Sequence, residues 1–171
     1  MTGQDRVDAL DHHAHLRRAI ALSASASAKG NHPFGATLVD PSGRVVLEAE
    51  NTVVDNSDDT SHAELNLIRA ANRKFRREER ARLVLYASTE PCAMCATAMF
   101  WSGFRTLVFG ISQERLYSIT TKGNAKPIVH RMPCREVFAA GANAPTNVIG
   151  PLLEDEAVIP HAGYWANRRR R

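Results

Sequence analysis

The stretch Leu83-Val84-Leu85-Tyr86-Ala87-Ser88-Thr89-Glu90-Pro91-Cys92-Ala93-Met94-Cys95 decides how this chain folds. Its first part, Leu83 to Ala87, is a compact apolar run suited to a buried strand. Pro91 then predicts the start of a helix, where a residue without an N–H is tolerated because first-turn donors have no intrahelical partner. Cys92 and Cys95 fall near that start, three apart and so on one helix face, where the helix dipole favours thiolates. Upstream stands His62-Ala63-Glu64, also at a helix start, because Leu67, Ile68, Ala71 and Phe75 recur at helical spacing and predict a helix over about Ser61 to Arg76. Packing the two helix starts side by side on one sheet would bring His62 to the two thiolates. The yield is three metal ligands and one spare carboxylate, the count for a catalytic zinc with an open fourth position rather than a structural zinc closed by four side chains.

Outward from this pair, Val7 to Lys29 reads as an amphipathic helix, with Ala9, Leu16 and Ile20 near helical spacing, ended by Gly30-Asn31-His32-Pro33. Gly35 to Val39 and Arg44 to Ala49 are β-prone runs around the turn Asp40-Pro41-Ser42-Gly43, which predicts a hairpin. Asn51 to Thr60 is loop-like, Leu107 to Ile111 is a further strand, and Pro133 to Ala140 and Leu152 to Trp165 are later helices. Strands alternating with helices make this an α/β chain. Residues 1–171 read as one domain, with 150–171 a C-terminal helix and basic tail.

The chain has 22 basic and 18 acidic residues, and the four arginines at 168–171 account for the whole surplus. Such a tail reads as a solvated end before a nucleic-acid clamp. The cluster of Arg73, Lys74, Arg76, Arg77, Arg80 and Arg82 is broken by Glu78 and Glu79, which suits an exposed helix end. Two of the three cysteines are in the Cys92/Cys95 pair, so no disulfide framework suggests itself and a reducing, cytoplasmic setting fits. No apolar stretch approaches a membrane span, and the N-terminus lacks the pattern of a secretion signal.

Chemically, zinc lowers the pKa of water in its open position toward neutrality, and Glu64, two residues from His62, is placed to carry a proton from that water to a ring nitrogen and a departing amine. Other readings stand beside this one. A Cys-x-x-Cys pair also serves redox chemistry or half of a structural zinc site. Ser61-x-x-Glu64 also fits a helix capping box, which would give Glu64 a purely structural job. A closed structural site needs a fourth Cys or His, and Cys134 has no such neighbour at finger spacing.

The spacing H-x-E followed by P-C-x-x-C is the signature of zinc deaminases. Together with Pro33-Phe34-Gly35-Ala36, Asn51, Asp58 and Thr60, and Thr89-Glu90 before Pro91, it makes the chain resemble the cytidine-deaminase-like superfamily over about Leu16 to Ile111. The likeness is closer to the branch of bacterial guanine deaminases and tRNA adenosine deaminases. Asp59 departs from the pattern, where the related stretch usually has proline. The resemblance implies a three-layer sandwich with a mixed five-stranded sheet and helices on both faces, and hydrolytic loss of an exocyclic amine from a nitrogen heterocycle.

It further implies roles for particular residues. Glu64 would be the proton shuttle, with His62, Cys92 and Cys95 holding Zn2+. Asn51 would hydrogen-bond the base or merely shape its loop; the Ala63 N–H would meet a ring carbonyl; carbonyls near Ser88 and Thr89 would take the leaving amine's protons. Phe34 and Trp101 would flank the base, or belong to the core. His32, beside Phe34, could face the pocket, but as a histidine in a loop near a turn it is expected to face solvent. Guanine deaminases carry a second acidic residue after this region, for which Glu114 is the nearest candidate; if Leu116 stands there instead, guanine becomes doubtful. Tyr164 and Trp165 would close over an active site, of this chain or of a partner subunit, or serve only in helix packing. Members commonly form homodimers, and Phe100, Trp101 and Phe104 suit either an interface or a core.

The first expectation is therefore a deaminase of a free nucleobase, guanine first, with cytosine, isoguanine, aza-pyrimidines and triazines as alternatives. Editing of adenosine in tRNA would need a basic body, and removing the terminal arginines leaves this one with equal numbers of acidic and basic residues. A zinc-stabilised scaffold without catalysis is the remaining reading, against which Glu64 stands.

Overall fold

The computed structural model describes residues 7–122 and 129–165; the arginine run at 168–171 lies outside them. The chain begins with α1 (His12–Ala28), followed by the hairpin β1 (Gly35–Val39) and β2 (Val45–Glu50), a single turn α2 (Val53–Asn56), and α3 (Ala63–Lys74). After the short α4 (Arg77–Arg80) come β3 (Val84–Thr89), α5 (Ala93–Ser102), β4 (Thr106–Ile111) and α6 (Gln113–Thr120). The last elements are α7 (Cys134–Ala139), β5 (Asn147–Ile149), α8 (Glu154–Val158) and one 3-10 turn, Ile159–His161.

The sheet has five strands in the order β2-β1-β3-β4-β5. β1 runs antiparallel to both β2 and β3, whereas β3, β4 and β5 are mutually parallel. β3, β4 and β5 are joined through helices, the crossover connection that parallel neighbours need. β1, β3 and β4 are buried at every residue, and the edge strands β2 and β5 are not. Alternation along the central strands divides the core. Ala36, Leu38, Leu85, Ala87, Leu107 and Phe109 face α3, α5 and α7, while Val39, Val84, Tyr86 and Val108 face α1. This is a three-layer sandwich with helices on both faces, as the resemblance implies.

Gly35 shows how closely α1 lies on β1. A Cβ there would run into the Ala19 carbonyl oxygen and approach Leu22 Cβ and Ser23 N within 2.6 Å, so only glycine lets helix and strand meet. Gly103 has φ +88 and ends α5 in the left-handed conformation, which glycine adopts without Cβ strain. The basic cluster of residues 73–82 is partly engaged here. The Arg77 guanidinium donates to the Trp101 carbonyl at 2.6 Å and Arg80 to that of Ser102 at 2.7 Å, satisfying helix-end carbonyls at the negative end of the α5 dipole.

Several expectations move. The long N-terminal helix starts at His12, after helical residues 7–8 and a break at 9–11, and the helices after the two motifs start two residues later than their motifs suggest. β5 and α6 have no counterpart in the strand and helix pattern read from sequence.

Candidate active site

Both motifs lie just before their helices: His62 is the N-cap of α3 and Cys92 the N-cap of α5, each in extended backbone, while Cys95 sits in the first turn of α5. Pro91 thus precedes the helix instead of opening it. Asp58 sets the approach to His62. Its Oδ1 accepts from the Thr60 N–H at 2.8 Å and the Thr60 hydroxyl at 2.7 Å, and its Oδ2 accepts from the Ser61 hydroxyl at 2.9 Å. The Asn66 side chain donates to the Glu50 carbonyl and to Thr52 Oγ1, both at 2.9 Å, tying α3 to the same loop. Because Ser61 bonds Asp58 and is not the N-cap, the capping box that would have occupied Glu64 does not form. Asp59, the departure from the family pattern, is exposed.

Sγ of Cys92 and of Cys95 stand 3.7 and 3.5 Å from His62 Nδ1, and the three donor atoms all lie within 4.8 Å of one another. Zinc–sulfur and zinc–nitrogen bonds of ordinary length at a tetrahedral angle separate their donors by about 3.6 Å. The residues therefore fit zinc, through Nδ1 of the histidine. As side chains alone, the hydrogen bond from Cys95 brings the Cys92 thiol down to about 4 against the opposing effect of burial, with His62 assisting. Cys95 is pushed up by the same pairing and by burial. His62 is raised, first by its contact with Cys92. Of the pair, Cys92 is thus the thiol favoured as the anion, the form that ligates metal.

Glu64 is 6 % exposed, and burial lifts its carboxyl to about 7, with His62 pulling the other way. A carboxyl that gains and loses its proton near neutrality is suited to proton transfer. It lines a cavity of about 330 Å³ together with His62, Cys92, Phe34, Thr89 and Trp165. The far wall comes from α6: Gln113, Leu116, Tyr117, Thr120 and Thr121. Glu90 also reaches the cavity, yet its two oxygens accept from the Gln113 and Cys134 N–H groups at 2.9 Å each. It fixes the N-termini of α6 and α7, where a carboxylate is favoured by both helix dipoles. Cys134 is fully buried, with its thiol pushed up by burial first and then by Glu90, so it stays apart from the metal trio.

The remaining expected residues divide. Phe34 and Thr89 reach the cavity; the Thr89 hydroxyl has no hydrogen-bond partner among the described residues. Ala63 is buried at the first position of α3 beside His62. Asn51 is buried, and its Oδ1 accepts from the Val53 N–H at 3.1 Å, so part of its amide shapes the loop. Ser88 stands behind the wall, its Oγ accepting from the Gly35 N–H at 3.1 Å. Trp101 is 69 % exposed on α5, away from this chain's cavity. Phe104 is fully buried and Phe100 packs on the same core. Glu114 is exposed, while Leu116 and Gln113 are buried and face the cavity. At the start of α6 the acidic residue falls on the solvent side of the helix and the amide on the inner side, an outcome of helix placement that spacing did not disclose.

The C-terminal aromatics gather over this chain's own cavity. His32 is half-buried between Phe34, Tyr164 and Trp165, not turned to solvent as expected, because the end of the chain folds back on its loop. Trp165 lines the cavity and donates from its indole Nε1 to His161 Nδ1 at 3.2 Å, whereas Tyr164 points to the Gly30 carbonyl at 3.4 Å. His161 is 1 % exposed and burial holds it down to about 4, from an ordinary 6.5. Between those values the unfolded chain binds the proton and the native one does not, so stability is full above pH 6.5 and falls as pH drops toward 4. The difference of about 2.5 is worth up to about 3 kcal/mol. Urea midpoints at pH 7 and pH 4.5 should therefore diverge less in His161→Phe than in the parent protein; an equal divergence would exclude this histidine as the cause.

Comparison with known proteins agrees with the geometry. Residues 10–111 match the family described as the cytidine and deoxycytidylate deaminase zinc-binding region. The chain is 43 % identical over 156 residues, 91 % of its length and 93 % of the relative's, to a probable cytosine deaminase of Schizosaccharomyces pombe. It is 35 % identical to the guanine deaminase of Bacillus subtilis over 94 residues, 54 % of this chain and 60 % of that one. A crystal structure of guanine deaminase from Nitrosomonas europaea has the same fold, with a TM-score of 0.71 at 24 % identity over 90 % of this chain and 84 % of that one. With the zinc motif residues inside the matched region and their donor atoms at zinc-ligand separations, this chain belongs to the cytidine and deoxycytidylate deaminase family.

Proposed function

We propose that the protein is a zinc-dependent hydrolase that removes an exocyclic amine, as ammonia, from a free nucleobase, and that an aminopyrimidine such as cytosine comes ahead of guanine. The observation that carries the reading is Glu64, buried beside His62 and Cys92 at the wall of a cavity, with its carboxyl lifted to about 7. Zinc, when bound, supplies an activated water. Glu64 would take a proton from that water and pass it to the ring nitrogen next to the amine-bearing carbon, then take the second proton from the hydroxyl left on that carbon and give it to the departing amine. Water adds its oxygen to the carbon, the C–N bond breaks, and the products are the carbonyl base and ammonia. Phe34 and Trp165 hold the ring, the Ala63 N–H and Asn51 meet its polar edge, and backbone near Thr89 receives the amine.

Two features favour a pyrimidine. Among the described residues, the candidate for the second acidic residue that guanine chemistry would use does not reach the cavity: Glu114 is exposed, Leu116 is buried, and residues 115–135 contain no Asp or Glu. The relative matched over nearly its whole length is a probable cytosine deaminase. A cavity of about 330 Å³ lies at the small end of ligand sites, which suits a base without sugar and phosphate. Residues 1–171 act as one catalytic domain in this reading, and the cysteine usage fits a cytoplasmic protein; among the described residues no helix is long and apolar enough to cross a membrane. Exposed Met94 and Trp101 share a face of α5 and suit a homodimer contact, which sedimentation of the wild type reads directly.

Ammonia release from cytosine, guanine, isoguanine, ammeline and adenine by the zinc-loaded protein tests the reading. We expect cytosine to lead the others in kcat/KM by at least about tenfold, a difference of roughly 1.4 kcal/mol in transition-state binding. Guanine in first place would reverse the order, and no turnover of any base would end the proposal.

A further inference from the structure

Trp165 reaches the cavity from near the end of the chain, where a segment is poorly ordered unless something ties it down. The tie is His161. It ends the 3-10 turn Ile159–His161 that follows α8, and α8 is anchored in the core, since Ala157 is fully buried and packs with Ile111 and Leu116. His161 is thereby carried inside, 1 % exposed, with its ring centroid 5.3 Å from that of Phe34. There its Nδ1 accepts from the Trp165 indole N–H at 3.2 Å, with the two ring planes only 13° apart. Rings so nearly parallel let the N–H meet the imidazole lone pair, which lies in the plane of its ring.

This bond selects a tautomer. Nδ1 accepts only when it carries no proton, so the neutral ring holds its proton on Nε2, and Nε2 has no hydrogen-bond partner among the described residues. Burying an N–H without a partner is costly. The other tautomer would set N–H against N–H and lose the Trp165 bond as well, and an imidazolium would offer no acceptor at all. Burial keeps the ring uncharged by holding its pKa down to about 4, so the acceptor is present throughout the neutral range.

We infer that His161 is a positioning residue of this site: by accepting the indole N–H it holds the Trp165 ring against the cavity, so that a substrate base meets a wall already in place. The inference rests on the nucleobase reading above. Among the described residues His161 does not itself line the cavity, so it acts through Trp165 and not on the reacting atoms. A wall ordered in advance removes from the binding step the entropy of fixing a large side chain. The benefit falls alike on ground state and transition state, and such uniform binding lowers KM while leaving kcat unchanged.

The test uses the zinc-loaded full chain as wild type, His161→Phe, His161→Asn and Trp165→Phe, with cytosine or whichever base the panel ranks first. Phenylalanine keeps a flat ring and loses the acceptor; asparagine places an amide oxygen near the position of Nδ1. We expect His161→Phe to raise KM roughly 3- to 10-fold, the span of one hydrogen bond, with kcat within about twofold of wild type. His161→Asn should bring KM back to within about twofold. Adding His161→Phe to Trp165→Phe should raise KM no further, because the bond is already gone.

Indole N–H resonances of the isotope-labelled protein without substrate give a second readout. The chain has two tryptophans, and Trp165→Phe identifies which signal is this one. It should lie downfield and exchange slowly in wild type and His161→Asn, and lose both properties in His161→Phe. An unchanged KM or an unchanged indole signal in folded His161→Phe overturns the inference, as does a His161→Asn as impaired as His161→Phe. Should His161→Phe not fold, a KM in Trp165→Phe equal to that of the wild type overturns it instead. A wild type that turns over no free base defeats the reading of the function, and the indole signal then still reports whether His161 holds Trp165.

Discussion

Glu64→Gln will reduce kcat by roughly 100- to 10,000-fold while the protein still binds zinc and stays folded. The range is that of a positioned general acid–base group. Glutamine has the shape of glutamate and its hydrogen-bonding reach, but it cannot accept a proton from water or give one to a ring nitrogen. Glu64 is not among the three donor atoms gathered for the metal, so zinc content, read by atomic absorption, should match the wild type. The fold should be indifferent as well, because the carboxyl is buried and lifted to about 7, and a neutral amide is no harder to bury than an ionised acid. Base binding, read by calorimetry, should persist. Turnover within about threefold of wild type would remove Glu64 from the chemistry and, with it, the observation that carries the proposed function.

The second large effect concerns the metal ligands. Cys95→Ser should weaken zinc binding by more than about 100-fold, since a serine hydroxyl is neither ionised at neutral pH nor a soft donor like thiolate. The protein should then purify with little zinc and show no measurable ammonia release. Stability should fall too, because a metal that binds only the folded chain stabilises it by an amount that grows with the logarithm of free metal over its dissociation constant. Cys95 lies in the first turn of α5 and His62 is the N-cap of α3, so a bound metal would tie the two helix starts together. Chelation of the wild type should lower its melting temperature and abolish activity, and zinc should restore both. Full activity in the chelated protein, or in Cys95→Ser, would contradict a zinc role at this cluster.

Phe34, Thr89, Glu64 and the three ligands were all expected at the site and reach it or build it. They are legible because chemistry demands their types at fixed spacing, and because each lies at the end of a strand or the start of a helix. The hairpin was legible for a similar reason, since Asp40-Pro41-Ser42-Gly43 punctuates two β-prone runs and β1 spans Gly35–Val39 as read. β5 was not, because three half-buried residues at an edge carry no periodicity. Gln113 and Tyr117 were missed, Leu116 was named only as a rival to Glu114, and Trp101 was placed at a cavity it does not reach in this chain. Each depends on which side of a helix turns inward, and in α5 and α6 apolar residues occur on more than one side. The capping-box reading of Ser61 failed because α3 starts one residue later than that reading needs, with His62 as its N-cap.

Sequence by itself picked out the three candidate metal ligands, the proposed proton carrier and the alternation of strands and helices, since motif spacing and hydrophobic period are local and survive without knowledge of distant contacts. Tertiary structure alone decided the α6 wall of the cavity. Leu116 and Gln113 face inward and Glu114 outward because Glu90 pins the start of α6 and Arg115 pairs with Asp155 at 2.6 Å across to α8. Such long-range bonds fix the rotation of a helix, and a helix rotation is what sequence spacing leaves open.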